Sequence, residues 1–83
     1  MKCLITFRSV TPAQRAEGHL RRMGFECGIR RTPRWMEAQG CGYSLWIRED
    51  DARAAAEHLR QAQILFRKVY LRRENGTMEE MTL

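Results

Sequence analysis

The sequence lacks the features that mark membrane and secreted proteins. No stretch of the 83 residues approaches the roughly 20 consecutive apolar residues that a membrane-spanning helix needs. The opening residues, MKCLITFRSV, hold an apolar run that is too short for a signal peptide and is interrupted by Arg8. We therefore expect a cytoplasmic chain without membrane contact.

Cysteine is scarce, and the common signatures of metal sites and hydrolases are missing. The three cysteines stand at positions 3, 27 and 41, an odd number at wide spacing, which is typical of a reducing compartment rather than of a disulfide framework. No CxxC or HxxxH pair is present to anchor a metal ion. A Ser-His-Asp order, a glycine-rich phosphate loop and a paired carboxylate all lack supporting context. We predict no metal, no cofactor and no hydrolytic enzyme.

Positive charge is what the chain has in excess. It carries 15 Lys and Arg residues against 10 Asp and Glu residues, a formal net charge of +5. This balance favours anionic partners such as nucleic acid, phosphate or an acidic protein, but does not choose among them. A chain of this length forms one domain with a single modest core, so a site is expected on a loop or a sheet face.

Alternating and helical patterns predict six elements in the order strand, helix, strand, strand, helix, strand. Cys3 and Cys27 fall on the core faces of the first two strands, where we expect inert buried thiols. The first helix is predicted to start with Thr11 as its N-cap and to end at Gly24, and the second to start at Asp50 or Asp51. The predicted strands cover residues 2–9, 25–31, 43–48 and 65–73.

This order predicts an α+β fold, namely a ferredoxin-like two-layer sandwich (βαββαβ). Its four-stranded antiparallel sheet would carry both helices on one face and leave the other face to water or a partner. Residues 1–74 are expected to form the single domain. An Asn75-Gly76 turn then leads to a predicted flexible C-terminal tail at residues 75–83.

The connection between the second and third strands is the feature that points to chemistry. It runs from about residue 32 to residue 42, which exceeds the two to five residues of an ordinary hairpin loop. Pro33 opens it, because proline cannot donate to a sheet ladder. Cys41 stands between Gly40 and Gly42, whose small size and access to positive φ would leave the sulfur open to another molecule.

Arginine is placed to activate this thiol. A nucleophilic cysteine reacts as the thiolate, whereas an ordinary cysteine, with a pKa of about 8.5, is mostly protonated at neutral pH. Arg34 in the loop, and Arg30 or Arg31 at the end of the second strand, are candidates to lower the pKa of Cys41. The alternative is that Cys41 is only a small residue in a glycine-rich turn.

Several short motifs, in order, resemble a known family. They are the opening K-C-L-I-T-F, the pairs Pro33-Arg34 and Cys41-Gly42, the acidic start of the second helix and the closing Val69-Tyr70. Together they resemble the small bacterial family of selenium/sulfur carrier-like proteins over nearly the whole chain. The resemblance implies that Cys41 carries sulfur or selenium as a persulfide or its selenium analogue, with Arg34 and Gly42 as the other motif positions. It also implies donor and acceptor proteins as partners, and a covalent carrier rather than an enzyme.

Two other functions compete with the carrier. The open sheet face could bind RNA, because an aromatic and basic set could share that face, although Phe7 on the first strand alternates inward and nucleic acid is the less favoured partner. The members of this set are Arg30, Trp46, Phe66, Lys68, Tyr70 and Arg72. The same face could instead serve a structural role as the contact of a homodimer.

Overall fold

The computed structural model describes residues 1–32 and 42–83. In chain order these residues form β1 (Lys2–Thr6), α1 (Val10–Arg22), β2 (Cys27–Arg31), β3 (Tyr43–Arg48), α2 (Glu49–Gln61), β4 (Val69–Arg72) and β5 (Met78–Met81). Neither helix in this described part is long and apolar enough to cross a membrane.

The strands form one antiparallel sheet in the order β2-β3-β1-β4-β5. β1 lies at the centre, where Leu4 pairs with Trp46 of β3 on one side and with Tyr70 of β4 on the other. β3 therefore separates β1 from β2, so α1 crosses over from one to the other above an intervening strand. The predicted α+β class is confirmed.

The predicted strand count is wrong, because the sheet has five strands rather than four. Residues Met78–Met81, which the sequence analysis places in a tail, pair with β4. The predicted Asn75-Gly76 turn closes this hairpin: Gly76 has φ +87°, and its N–H donates to the Arg73 carbonyl oxygen at 2.9 Å. The turn thus reverses the chain tightly enough for β5 to bond to the edge of the sheet.

The core lies between one face of the sheet and the two helices. As predicted, Cys3, Ile5 and Phe7 on β1 and just after it point into this layer and are fully buried. The helices contribute mainly alanines with one leucine each, which allows close approach to the sheet. These buried helix residues are Ala13, Ala16, Leu20, Ala52, Ala55 and Leu59. The opposite sheet face carries no helix of the described chain.

The helix ends correct the sequence analysis at two of three points. α1 begins at Val10 with Ser9 as its N-cap and without a side-chain cap, so the predicted Thr11 cap is wrong. α2 begins at Glu49, one residue before the predicted cap. Its first turn holds Glu49, Asp50 and Asp51, whose negative charges are stabilised by the positive end of the helix dipole. Gly24 ends α1 in the predicted left-handed conformation, with φ +95°.

Candidate functional site

The structure describes only the flanks of the predicted reactive loop. Of the predicted site residues, Pro33, Arg34, Gly40 and Cys41 lie outside the described residues. Arg31 and Gly42 are described. Their surroundings define the position of the loop on the sheet.

The loop leaves and re-enters the sheet through the hairpin of β2 and β3. Arg31 and Tyr43 are the last paired residues of the two strands. Beyond them the N–H of buried Thr32 donates to the carbonyl oxygen of Gly42 at 2.9 Å. The two residues that flank segment 33–41 are therefore held together by a backbone hydrogen bond at one corner of the sheet.

Gly42 carries the backbone turn at the loop's exit. Its φ of +80° lies in the left-handed region, which costs an ordinary L-residue roughly 1–2 kcal/mol. Cys41 is bonded directly to Gly42 in the sequence. Glycine is thus favoured at this position for a conformational reason, in addition to any need for open space around a thiol.

The two arginines at the end of β2 lie on opposite faces of the sheet. Arg31 is exposed at the loop's base, where its Nη1 donates to the Tyr43 hydroxyl at 3.5 Å and its guanidinium lies 5.4 Å from the ring centroid. Arg30 instead reaches Trp46, with its guanidinium carbon 4.9 Å from the indole centroid. This follows from the alternation of side chains along a strand. Arg31 is therefore the described cation at the loop.

The other two cysteines are enclosed in the core. Cys3 is fully buried and its thiol donates to the Met81 sulfur at 3.6 Å. Cys27 is 3% exposed, and its Sγ lies 4.0 Å from the Glu17 carbonyl oxygen. Burial raises the pKa of both thiols; the charge of Glu49 adds to this for Cys3, and that of Arg21 opposes it for Cys27. Both are therefore poor nucleophiles at neutral pH, as the sequence analysis predicts.

The described residues do not gather a metal-binding set. In ranges 1–32 and 42–83 no group of three or more His, Cys, Asp or Glu side chains could hold a metal ion together. His58 instead packs edge-on against Phe25, with ring centroids 5.6 Å apart.

The open sheet face carries a second cluster, centred on Trp46. The indole lies across Gly28 on the neighbouring strand β2, which also carries Arg30. Lys2 approaches from β1, on the other side of β3, and its Nζ is 4.3 Å from the indole centroid. A groove of about 270 Å³ runs over this cluster and includes Arg72 in its lining. The sequence analysis did not include Lys2 in the aromatic and basic set, because a residue at the very start of a strand adds little to an alternating pattern.

One member of the predicted aromatic set is placed elsewhere. Phe66 precedes β4 and packs against the core, with the Arg60 guanidinium carbon 5.3 Å from its ring centroid. Lys68 also precedes β4 and makes an ion pair of 3.2 Å with Glu80. The prediction that Phe66 shares the face of Trp46 is wrong, because β4 begins at Val69 rather than at residue 65.

Comparison with known protein families tests the resemblance that the sequence motifs indicate. The family model described as "Putative Se/S carrier protein-like" matches residues 2–71. The chain belongs to this family. The matched region of the Se/S carrier-like protein includes the hairpin of β2 and β3 with its loop, whereas β5 lies beyond the match. No curated protein and no solved structure matches the chain.

Proposed function

We propose that this protein is a sulfur or selenium carrier whose cargo is bound to Cys41 in the β2–β3 loop, on a ferredoxin-like core extended by β5. Membership of the Se/S carrier-like family supports the class of function. The observation that supports the choice of residue is the burial of Cys3 and Cys27, which leaves Cys41 as the remaining one of three cysteines.

The transfer we propose is a thiol exchange without net oxidation. The Cys41 thiolate attacks the outer sulfur of a donor protein's persulfide. A new S–S bond forms at Cys41, the S–S bond of the donor breaks, and the donor leaves as its thiolate. The same step in the opposite direction, with an acceptor thiolate as the attacking group, releases the atom. A donor with selenium in the outer position transfers selenium by the same exchange.

Arg31 is the described residue that fits the electrostatic need of this step. Both the attacking thiolate and the persulfide product are anions, which a nearby guanidinium stabilises. Arg31 is exposed at the loop's base and its side chain is oriented by Tyr43. Arg34 is proposed as the second such cation, on the basis of its place in the loop sequence and in the family motif.

The experiment that tests the carrier is a loading reaction followed by mass measurement. Reduced protein is incubated with a cysteine desulfurase and cysteine, and its intact mass is compared before and after treatment with a thiol reductant. We expect the added mass of one sulfur atom, removable by the reductant and mapped to the peptide containing Cys41. The Cys41→Ser variant should gain nothing, and the Cys3→Ala/Cys27→Ala variant should load as the natural protein does.

Two results would overturn the proposal. One is a Cys41→Ser protein that still loads while the Cys3→Ala/Cys27→Ala protein does not. The other is the absence of any reducible adduct at all. For the arginines, alkylation of Cys41 at neutral pH should slow in Arg31→Gln and Arg34→Gln and stay unchanged in Arg53→Gln. Arg53 is a suitable control because it is exposed on α2 and has the same charge.

A further inference from the structure

We propose that the open face of the sheet binds single-stranded nucleic acid, in the groove around Trp46. This is a function separate from the carrier chemistry and does not rest on it. The groove is lined by Leu4, Trp46, Gly76, Met78 and the cations Lys2, Arg30 and Arg72, with no acidic side chain; Arg31 also touches the groove, although its guanidinium lies against Tyr43.

The floor of the groove is aromatic because of a glycine. Trp46 pairs with Gly28 across β3 and β2, and a Cβ at Gly28 would lie 2.8 Å from the indole Nε1. Any larger residue there would displace the indole. On the other side Trp46 pairs with Leu4, and Leu4 pairs with Tyr70, so one row across the sheet holds two aromatic side chains, of which Trp46 lines the groove and Tyr70 lies beyond it. Both are half-buried and present part of their rings on the open face.

Cations lie over and beside this floor, and no described residue neutralises them. Lys2 and Arg30 lie 4.3 and 4.9 Å from the indole centroid, and Arg72 pairs with Lys2 in the next row of the sheet. All three are exposed, and none makes an ion pair within residues 1–32 and 42–83. Elsewhere on the same face Lys68 is neutralised by Glu80. Positive charge is thus concentrated beside the aromatic floor.

This combination favours nucleic acid over an acidic peptide. Cations alone would suit any polyanion, but an indole between two cations matches a chain in which bases alternate with phosphates, because a base can stack while Lys and Arg contact the phosphates beside it. A duplex hides its bases and fits the flat face poorly. The contacts we propose are stacking on Trp46 and pairing of cations with phosphates, so we expect binding that depends on salt and tolerates changes of sequence.

The test is fluorescence anisotropy with a labelled single-stranded RNA of about ten nucleotides of mixed sequence, a length within the range of known single-strand sites. If three phosphates are neutralised, log K should fall with log salt with a slope of roughly −2. Lys2→Gln, Arg30→Gln and Arg72→Gln should each weaken binding and reduce that slope by about 0.7. Arg53→Gln on α2 removes the same charge from the helical side of the molecule and should leave both values unchanged.

Trp46→Leu tests the stacking separately from the charge. We expect it to weaken binding without changing the salt slope, after circular dichroism has shown that the variant is folded. Where the variant does not fold, the Trp35→Phe protein is used instead, in which Trp46 is the one tryptophan. Quenching of its fluorescence by the RNA then shows whether a base stacks on the indole. Cys41→Ser should bind as the natural protein does, so a failure of the carrier proposal leaves this measurement unaffected.

The outcomes separate the possible ligands. Binding of single-stranded RNA or of matched single-stranded DNA with the expected dependence on Arg30 and Trp46 supports the proposal. Absence of binding to both at low salt overturns it. It is also overturned if Arg53→Gln weakens binding as much as Arg30→Gln, or if a polyglutamate peptide competes as well as the RNA, because the effect would then be one of net charge.

Discussion

Gly28→Ala is the substitution for which the structure gives the sharpest expectation. The added Cβ would lie 2.8 Å from Nε1 and 3.3 Å from Cε2 of Trp46. The indole is a rigid plane with two torsions, so it must move as a unit, away from β2 and from its present contacts with Lys2 and Arg30. Overpacking of this kind costs roughly 1–3 kcal/mol, and the alanine recovers about 0.5–1 kcal/mol of backbone entropy. We expect a net loss of roughly 1–2 kcal/mol in the free energy of unfolding.

The expectation is measured by urea unfolding, followed by circular dichroism and by Trp46 fluorescence in a Trp35→Phe background. Thermal unfolding gives a second measure, because in a domain of this size a loss of 1 kcal/mol corresponds to a fall of about 4–8 °C in Tm. Gly18→Ala is the matched control, because its Cβ would meet only the end of the flexible Arg22 side chain at 3.4 Å. Gly18 lies inside α1, so this control should gain up to about 1 kcal/mol.

A double-mutant cycle decides whether the indole is the cause. In a Trp46→Leu background the obstructing ring is gone, so Gly28→Ala should be neutral or stabilising there. The difference between the two backgrounds should equal the overpacking cost, roughly 1–3 kcal/mol, which is within the coupling expected of contacting residues. An equal loss in both backgrounds, or no loss with Trp46 present, would refute the reasoning about the floor of the groove.

Substitutions at four further positions test other parts of the fold. The buried Ser44 hydroxyl has no hydrogen-bond partner among the residues that the structure describes, so Ser44→Ala should leave the free energy of unfolding unchanged or raise it by up to about 1 kcal/mol. Thr6→Val removes two hydrogen bonds to the backbone and should cost about 1–3 kcal/mol. Urea unfolding of both variants checks this, and a larger loss for Ser44→Ala contradicts it. At Gly42, alanine should cost about 1–2 kcal/mol and asparagine less, since asparagine tolerates positive φ; equal costs in the same assay would count against a conformational role. Met81→Ala should speed alkylation of Cys3, whose sulfur it contacts at 3.6 Å, relative to that of Cys27, and an unchanged ratio by peptide mapping would show that β5 does not shield Cys3.

Alternation along the strands is what made most of the fold predictable. A period of two places Cys3, Ile5 and Phe7 on one face whatever the rest of the chain does, and all three are buried there. β5 could not be found in this way. Its sequence MEEM has two charged residues at its centre, and it lies at the edge of the sheet with both of them exposed. The preceding turn brings it to the sheet edge, and of its four side chains Met81 packs against the core, which is too little apolar pattern to reveal a strand.

Part of the groove was predictable from the sequence, and there is a physical reason why the rest was not. Trp46, Arg30 and Arg72 follow strand alternation and were expected on one face. Whether a cation lies over an indole depends on torsions of long side chains and on the missing side chain of Gly28, neither of which has a sequence period. Phe66 was misplaced because α2 is followed by an irregular segment, in which Gln63 has φ +58°, and strand geometry starts only at Val69.

The pair Arg30 and Arg31 offers a way to separate the two proposed functions within one strand. Both are exposed arginines on β2, and a change to glutamine alters net charge equally, but one lies beside Trp46 and the other beside Tyr43 at the loop's base. Arg30→Gln should weaken binding of single-stranded RNA and leave Cys41 alkylation unchanged, while Arg31→Gln should slow alkylation with a smaller effect on RNA. Anisotropy and alkylation measured on the same two proteins check this. If both variants changed both readouts equally, the charge of the hairpin as a whole, rather than the face on which each guanidinium lies, would be what matters.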